Sequence, residues 1–553
     1  MSKVAPWVVD HTLNGQQAEF IVVLADQADL SEAKSAKTKR ERGRKVRDAL
    51  WEKAQQTQQP IIRWLEERKI EYRPFYIINA LWVKGDAKIA NTLAARSDVL
   101  RVEGNPTIYN AIRATTEQLS PSAPEATPPP GIQTGIAYSH APDVWSLGDT
   151  GQGIVIASGD TGVRWTHAAI KNQYRGWNGS AASHDYNWHD SIHPDAGLNT
   201  GGVCGTNSTE PCDDQGHGTH TTGTAVGDDG NGNQIGMAPG AKWIGCRNMD
   251  RGNGTPARYI ECMEFFLAPY PVGGTTAQGN PDLAPDISTN SWGCPPTEGC
   301  SVSSLQAAVE AQRAAGIFMV VAAGNKGSNC NTVQDPPGIY DAVYSVGALT
   351  TGTDTIASFS SRGSVSVDGS LRLKPYLSAP GTTVRSAVGP SGAGSTDTSY
   401  TTMSGTSMAT PHVAGAVALI WSAQPSLRND INKTEAILNA SAFHIANGNC
   451  DGGTALVPNN TFGYGRLDAK AAVDHALLEI TAIVPDNAGG LHIQFYAGAN
   501  RTYHLEQEFD MTNSWQPVPG VNDLTANTNG PAEFVDPNGQ SHPEAFYRIR
   551  ITQ

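Results

Sequence analysis

No apolar stretch in this 553-residue chain approaches the roughly 18 uninterrupted residues that a membrane-spanning helix requires. Positive charge is short as well: 39 Lys and Arg stand against 53 Asp and Glu, a formal net charge of −14. That deficit supplies no general phosphate-neutralising surface, so neither a nucleic-acid partner nor a membrane span is expected. The first twenty residues lack the apolar core of a secretory signal, so export would rest on a leader outside this sequence, or not occur. Metal and hydrolase signatures are missing too: no CxxC, no HExxH, and no GxSxG around Ser407.

What is present is a large globular composition. Hydrophobic residues make up 39% and charged residues 17%, over a length sufficient for two to four domains. One basic stretch, KSAKTKRERGRKVR from Lys34 to Arg47, consists of strong helix formers with Glu41 interspersed. It reads as a solvated helix face. The eight cysteines are Cys204, Cys212, Cys246, Cys262, Cys294, Cys300, Cys330 and Cys450. Their even number suits disulfides in an oxidising compartment, with zinc as the alternative. Short loops suggest Cys204 with Cys212, Cys246 with Cys262 and Cys294 with Cys300.

Four units are expected. In the first, 1–112, EFIVVL reads as a strand and the charged stretch to about Arg68 as helix. One or two strands, the helical AKIANTLAARSD and the strand-like VLRVEGNPTI follow, an order that fits a small ferredoxin-like α+β unit. A linker rich in Pro, Ser and Thr, 113–136, is where proteases would cut. In 137–478, fully apolar runs such as GIVIASGD, AKWIGCRNMD, APDISTNSWG, GIFMVVAAGN and YDAVYSVGAL alternate with helical segments. They imply an α/β fold, a parallel sheet covered by helices on both faces. Functional residues of such sheets sit at the carboxyl ends of strands, here Asp160, Asn290 and Asn325. The tail, 479–553, alternates apolar and polar residues and reads as a small β-sandwich-like domain. Its Tyr503, Trp515 and Tyr547 fit core positions or a ligand-stacking face.

The apolar run GTSMATPHVAGAVALIWS, 405–422, sets Ser407 at the mouth of a buried helix. Ser407 is either an N-cap or a nucleophile at the positive end of the helix dipole. Pro411 is expected in the first turn, where it costs no helical bond. Asp160, in IASGDTGV, is a turn residue or a buried carboxylate that needs a partner. Asp-Thr-Gly also occurs in aspartic proteases, where two such carboxylates share a proton. His217, between glycines in DDQGHGTHTTG, suits a general base, whereas His220, one turn on, suits a packed core position. Asn325 ends a strand after Gly324 and is a turn-former or an oxyanion donor.

In the order Asp, His, Asn, Ser, the blocks DTGV, GHGTHTTG, SWG, AAGN and GTSMATPHVAG resemble the subtilisin family of serine proteases over roughly 137–478. The resemblance implies a secreted, monomeric endopeptidase zymogen acting on proteins and peptides. Ser407 would be the nucleophile, His217 the base, Asp160 its orienting acid and Asn325 an oxyanion donor, with no catalytic cofactor. Ser291, Trp292, Gly293 and Gly324 would border the substrate, which adds as an extended strand with broad side-chain preference. The first unit would be a propeptide, folding aid and intramolecular inhibitor, cut by the enzyme itself between about Tyr109 and Pro130; an independent interaction module is the alternative. Structural calcium would bind in GDDGNGNQIGMAPGA through Asp229, Asn231 and Asn233, unless that loop is a solvated turn. The rival for the whole chain is a catalytically inactive binding protein anchored by its C-terminal β domain.

Overall fold

Short apolar runs in the middle of the chain form one seven-stranded sheet in the computed structural model, which describes residues 3–109, 131–194, 202–389, 395–509, 514–542 and 544–551. Its strands run Leu377–Pro380, Tyr344–Leu349, Phe318–Ala322, Ile287–Asn290, Val155–Asp160, Lys242–Arg247 and Trp188–Asp190 from edge to edge. Every pairing is parallel. Both faces are buried, which is why the strands are apolar throughout: Phe318 and Val320 face one core, Met319 and Val321 the other. The helix Thr406–Ala423, buried along all of its length, lies across the first face beside His217–Val226. Pro256–Leu267 and Gln306–Ala314 cover the second face.

Before this sheet the chain builds four antiparallel strands in the order Tyr72–Phe75, Ala80–Gly85, Ala18–Leu24, Val99–Gly104. Alternate residues of Ala18–Leu24 point two ways. Phe20 and Val22 pack with Ile61, Leu65 and Leu93, while Ile21 and Val23 join the core that holds Tyr259, Ile260 and Met263 of the central unit. The basic stretch is solvated only in part: Lys34, Lys37, Arg40 and Arg44 are exposed, as its composition predicts, but Lys39 is not. Thr38 caps the helix Lys39–Thr57, and Lys39 is half-buried against the central unit, its Nζ donating to Ala284 O and lying 3.1 Å from Asp286. Burial lowers the Lys39 pKa, against the pull of Asp286. The composition could not reveal this, because the partner carboxylate is remote in sequence.

Most of the expected linker and the whole of the expected cut region past Tyr109 lie outside the described residues. From Gly131 the chain is already part of the central unit, Gly131–Ile132 pairing with Asn233–Gln234. At the other end, Ile480–Pro485, Leu491–Ala497 and Gly530–Asp536 form one antiparallel sheet. Arg501–Glu508 organises a second with Gln516–Pro517, Leu524–Ala526 and Phe546–Ile551. Phe495, Tyr503, Leu505, Phe534 and Ile549 fill the space they share. Tyr503 is core, its hydroxyl accepting from Gly498 N; Trp515 is half-buried beneath Arg548, and Tyr547 donates to Asp536. Buried Arg501 ties this unit to Asp149 at 3.1 Å. That pairing also accounts for a second Asp-Thr-Gly at 149–151: its carboxylate is engaged by Arg501 and Asn529, not by Asp160.

Disulfides close Cys204–Cys212, Cys246–Cys262 and Cys294–Cys300, as the short loops suggest. The remaining pair, Cys330–Cys450, spans 120 residues, a separation from which no pairing could be read.

Candidate active site

The strand Val155–Asp160 delivers Asp160 to the carboxyl edge of the sheet, where it is 1% exposed. Its Oδ1 accepts from Thr161 N at 2.7 Å and lies 2.8 Å from His217 Nδ1. A buried carboxylate thereby gains partners, and the imidazole is held with Nδ1 toward the acid. Nε2 of His217 is buried and has no hydrogen-bond partner among the described residues. His217 opens the helix His217–Val226, and the next residue explains its glycine flank. A Cβ at Gly218 would stand 2.1 Å from Gly162 O and 3.1 Å from Asp160 Cβ, so only glycine lets the helix approach the strand.

Two residues not singled out in the sequence hold this helix. Asp213, fully buried, accepts the N–H groups of Gln215, Gly216 and Thr219 and the hydroxyls of Thr161 and Thr219. Thr161 in turn accepts from Gly218 N at 2.9 Å. Burial raises the Asp213 pKa, opposed by these hydrogen bonds. The signal was visible as an acidic residue shortly before a helix start. His220 is a core residue: it bonds Val384 O through Nε2 at 2.9 Å, and burial pushes its pKa down to about 3, so it is neutral.

Ser407 is the second residue of Thr406–Ala423. Its hydroxyl donates to Ser291 O at 3.0 Å rather than to His217, and Ser291 Oγ donates back to Ser407 O at 3.0 Å. This second bond corrects the expectation for Pro411. Pro411 is the sixth helical residue, not a first-turn residue, and its missing N–H leaves Ser407 O without the usual donor four residues on. Ser291 fills that place.

The strand Phe318–Ala322 is followed by Gly324, whose φ of +107° turns the chain before Asn325. Asn325 Oδ1 accepts from Thr406 N at 2.9 Å and Thr406 Oγ1 at 2.8 Å, which fixes the orientation of the carboxamide. One cavity is lined by Ser407, Thr406, Asn325, Gly324, Ser291, Trp292 and Gly293, together with Ala322, Ala323 and Asp335. Trp292 turns its indole into the core, stacked on Tyr259 at 3.8 Å, with Nε1 donating to Gly159 O at 2.8 Å. That bond links the cavity to the strand that ends at Asp160. Asn290, the other strand-end residue, is buried against Ser288 and does not line the cavity. Near the last described residues before 110, Ile108, buried, exchanges both main-chain hydrogen bonds with Gly254 at 2.8 and 3.2 Å.

The expected calcium donors do not fit a cation. Asp229 spends its carboxylate on Asn231 N, Asn233 N and Asn233 Nδ2, and Asn233 Oδ1 accepts from the Arg385 guanidinium at 3.1 Å. Asn231 donates to Asp229 O from an exposed turn. A single carboxylate already saturated, beside a fixed positive charge, is the arrangement of a tied turn. Among the described residues, no group of three or more His, Cys, Asp or Glu could hold a metal ion.

A sequence profile described as the subtilase family matches residues 151–465. Bacillopeptidase F of Bacillus subtilis (strain 168) is 32% identical over 493 residues, 83% of this chain and 31% of that protein. Serine protease AprX of the same organism is 34% identical over 319 residues, 54% of this chain and 64% of that protein. Subtilisin E, also from that strain, is 30% identical over 321 residues, 57% of this chain and 68% of its own length. The chain thus spans 31% and 64% of the lengths of Bacillopeptidase F and AprX. With the profile covering more than half of its residues, and that stretch containing the acid, imidazole, carboxamide and hydroxyl described above, the chain belongs to the subtilase family.

Proposed function

We propose that this chain is a serine endopeptidase of the subtilisin type, made as a zymogen for an oxidising compartment, with Asp160, His217, Asn325 and Ser407 as its catalytic residues. The observation that carries this reading is the state of His217. Its Nδ1 is engaged by Asp160 while Nε2 meets no partner among the described residues, so the ring is oriented by the acid with its other nitrogen available to take a proton. Rotation of the Ser407 hydroxyl away from Ser291 O supplies the proton.

Ser407 Oγ attacks the scissile carbonyl carbon as its proton passes to His217 Nε2. The oxyanion is held by the Ser407 N–H, at the start of a helix, and by the Asn325 carboxamide. Asp160 keeps the Nδ1 proton in place and stabilises the imidazolium. His217 then gives its proton to the amine nitrogen, the C–N bond breaks, and an acyl-enzyme remains. Water enters, loses a proton to His217, and releases the acid with Ser407 restored.

Residues 1–112 act in this reading as propeptide and inhibitor. The exchange pair between Ile108 and Gly254 supports it, since an added extended strand is how a peptide substrate would bind. Self-cleavage follows, between about Tyr109 and Pro130, and residues 479–553 form a separate appended domain. The four disulfides favour a destination outside the reducing cytosol. The test combines mass spectrometry with a fluorophosphonate probe on the purified full chain. Wild type is expected to label at Ser407, shorten over time and digest casein; Ser407→Ala stays intact, unlabelled and inactive. Processing of the purified alanine variant at the same rate would overturn the self-cleavage.

A further inference from the structure

Among the described residues lining the cavity beside Ser407, Asp335 is the one charged side chain and the others are neutral. Asp335 sits on the loop that follows Asn325, across from Gly293, where a Cβ would come within 3.3 Å of the Asp335 Cβ. The loop is tied to the same wall by Cys294 N donating to Pro336 O at 2.7 Å, and Cys294 is itself bonded to Cys300. The backbone beside Asp335 is therefore held against the segment that carries Ser291 and Gly293.

Its partner is Lys326, the residue after Asn325; both side chains are 13% exposed. Lys326 does not line the cavity. Asp335 thus lines the cavity, while Lys326 reaches it from outside that lining on a long flexible stem. An apolar side chain entering here would strip water from Asp335 and return nothing, and an acidic one would meet like charge. A guanidinium or ammonium would make a charge-assisted bond and let Lys326 turn to solvent.

We propose that Asp335 is a specificity-determining residue and that this cavity takes a cationic side chain, Arg or Lys, from the substrate residue whose carbonyl Ser407 attacks. The inference rests on the endopeptidase reading and narrows the broad preference that main-chain binding alone implies. Peptides identical except for that residue, carrying Arg, Lys, Leu, Phe or Glu, are compared by kcat/KM on the full chain after its casein activity has become constant. The expected order places Arg and Lys about tenfold or more above Leu and Phe, with Glu lowest. Asp335→Asn lowers the Arg-to-Leu ratio about tenfold, and Lys326→Ala raises it. Equal rates on all peptides, or an Arg-to-Leu ratio unchanged in Asp335→Asn, would overturn the assignment and leave the endopeptidase standing. No cleavage of casein or any peptide, with no probe on Ser407, would instead remove the parent reading and this one with it.

Discussion

Ser407 and Ser291 exchange two hydrogen bonds, hydroxyl to carbonyl in each direction, and so lock the start of a buried helix to the strand that would hold substrate. The exchange exists because Pro411 cannot donate to Ser407 O. One of these bonds is fixed and the other is expendable. Ser291 Oγ satisfies a carbonyl that Pro411 leaves without its usual donor, whereas the Ser407 hydroxyl is the group that the proposed mechanism would redirect to His217. Asn325 is held comparably, its oxygen end spent on Thr406. Its role in the proposed mechanism is confined to the charged intermediate. Asn325→Ala is therefore expected to lower kcat about 10²- to 10³-fold with KM within about threefold, measured by steady-state hydrolysis of a peptide ester or amide. A loss expressed mainly in KM would mean that Asn325 binds ground-state substrate instead.

At the scale of elements, the helix that bears His217 begins at a glycine with no capping side chain, and Asp213 does the capping from three residues before. Removing it would leave three N–H groups and two hydroxyls in a dry site. Asp213→Ala is expected to cost about 3 kcal/mol by urea denaturation and to lower activity at least tenfold. Asp213→Asn, which keeps an acceptor, should recover part of both, and the pH profile of the residual activity should shift if Asp213 positions His217 rather than only stabilising the fold. The strands around this helix were legible as apolar runs because both faces of the parallel sheet are buried: GIVIASGD and GIFMVVAAGN end where the sheet delivers Asp160 and Asn325. The Ser291 bond and the Cys330–Cys450 bridge were not legible, since each joins residues more than 100 apart, and neither was strand order, since the strands do not all pair in the order in which they occur along the chain. The same distance hid the interface of Lys39–Thr57, which composition alone assigns to solvent. At Asp229, alternating oxygens suggested calcium, but the spacing that suits a cation also suits an Asx turn, and Arg385 from a remote strand decides between them.

For the whole molecule, the controlling contact is that between the first unit and the helix Pro256–Leu267. Buried Glu264 accepts the N–H groups of Tyr76 at 2.6 Å and Ile77 at 2.9 Å, and desolvation raises its pKa to about 8, with Glu261 adding to the rise. Tyr270 and Tyr76 face it with pKa values raised well above the usual tyrosine range, chiefly by burial. One turn earlier, Glu261 meets Arg73 of the first unit at 3.1 Å and both His189 and His193. Despite its burial, His193 and Arg73 hold Glu261 well below the usual carboxylate range. Release of the first unit would return water to Glu264 and let its pKa fall toward an ordinary value, so docking takes up a proton between about pH 4.5 and 8. An acid whose docked pKa is raised stabilises the docked state below the free value and loses that stabilisation as pH climbs to the docked one. His193 does not add to this slope: against the lowering by burial its pKa is raised by Glu261, which belongs to the same unit, and Arg73 of the first unit lowers it. The docked first unit should hold most tightly in mild acid and loosen toward pH 8. In cut Ser407→Ala protein, prepared with an added protease, retention of the first unit on size exclusion is expected to weaken at least tenfold in affinity from pH 6 to pH 8. Glu264→Gln, neutral at every pH and still able to accept one N–H, should flatten most of that slope. A Glu264→Gln profile as steep as wild type would place the sensitivity elsewhere.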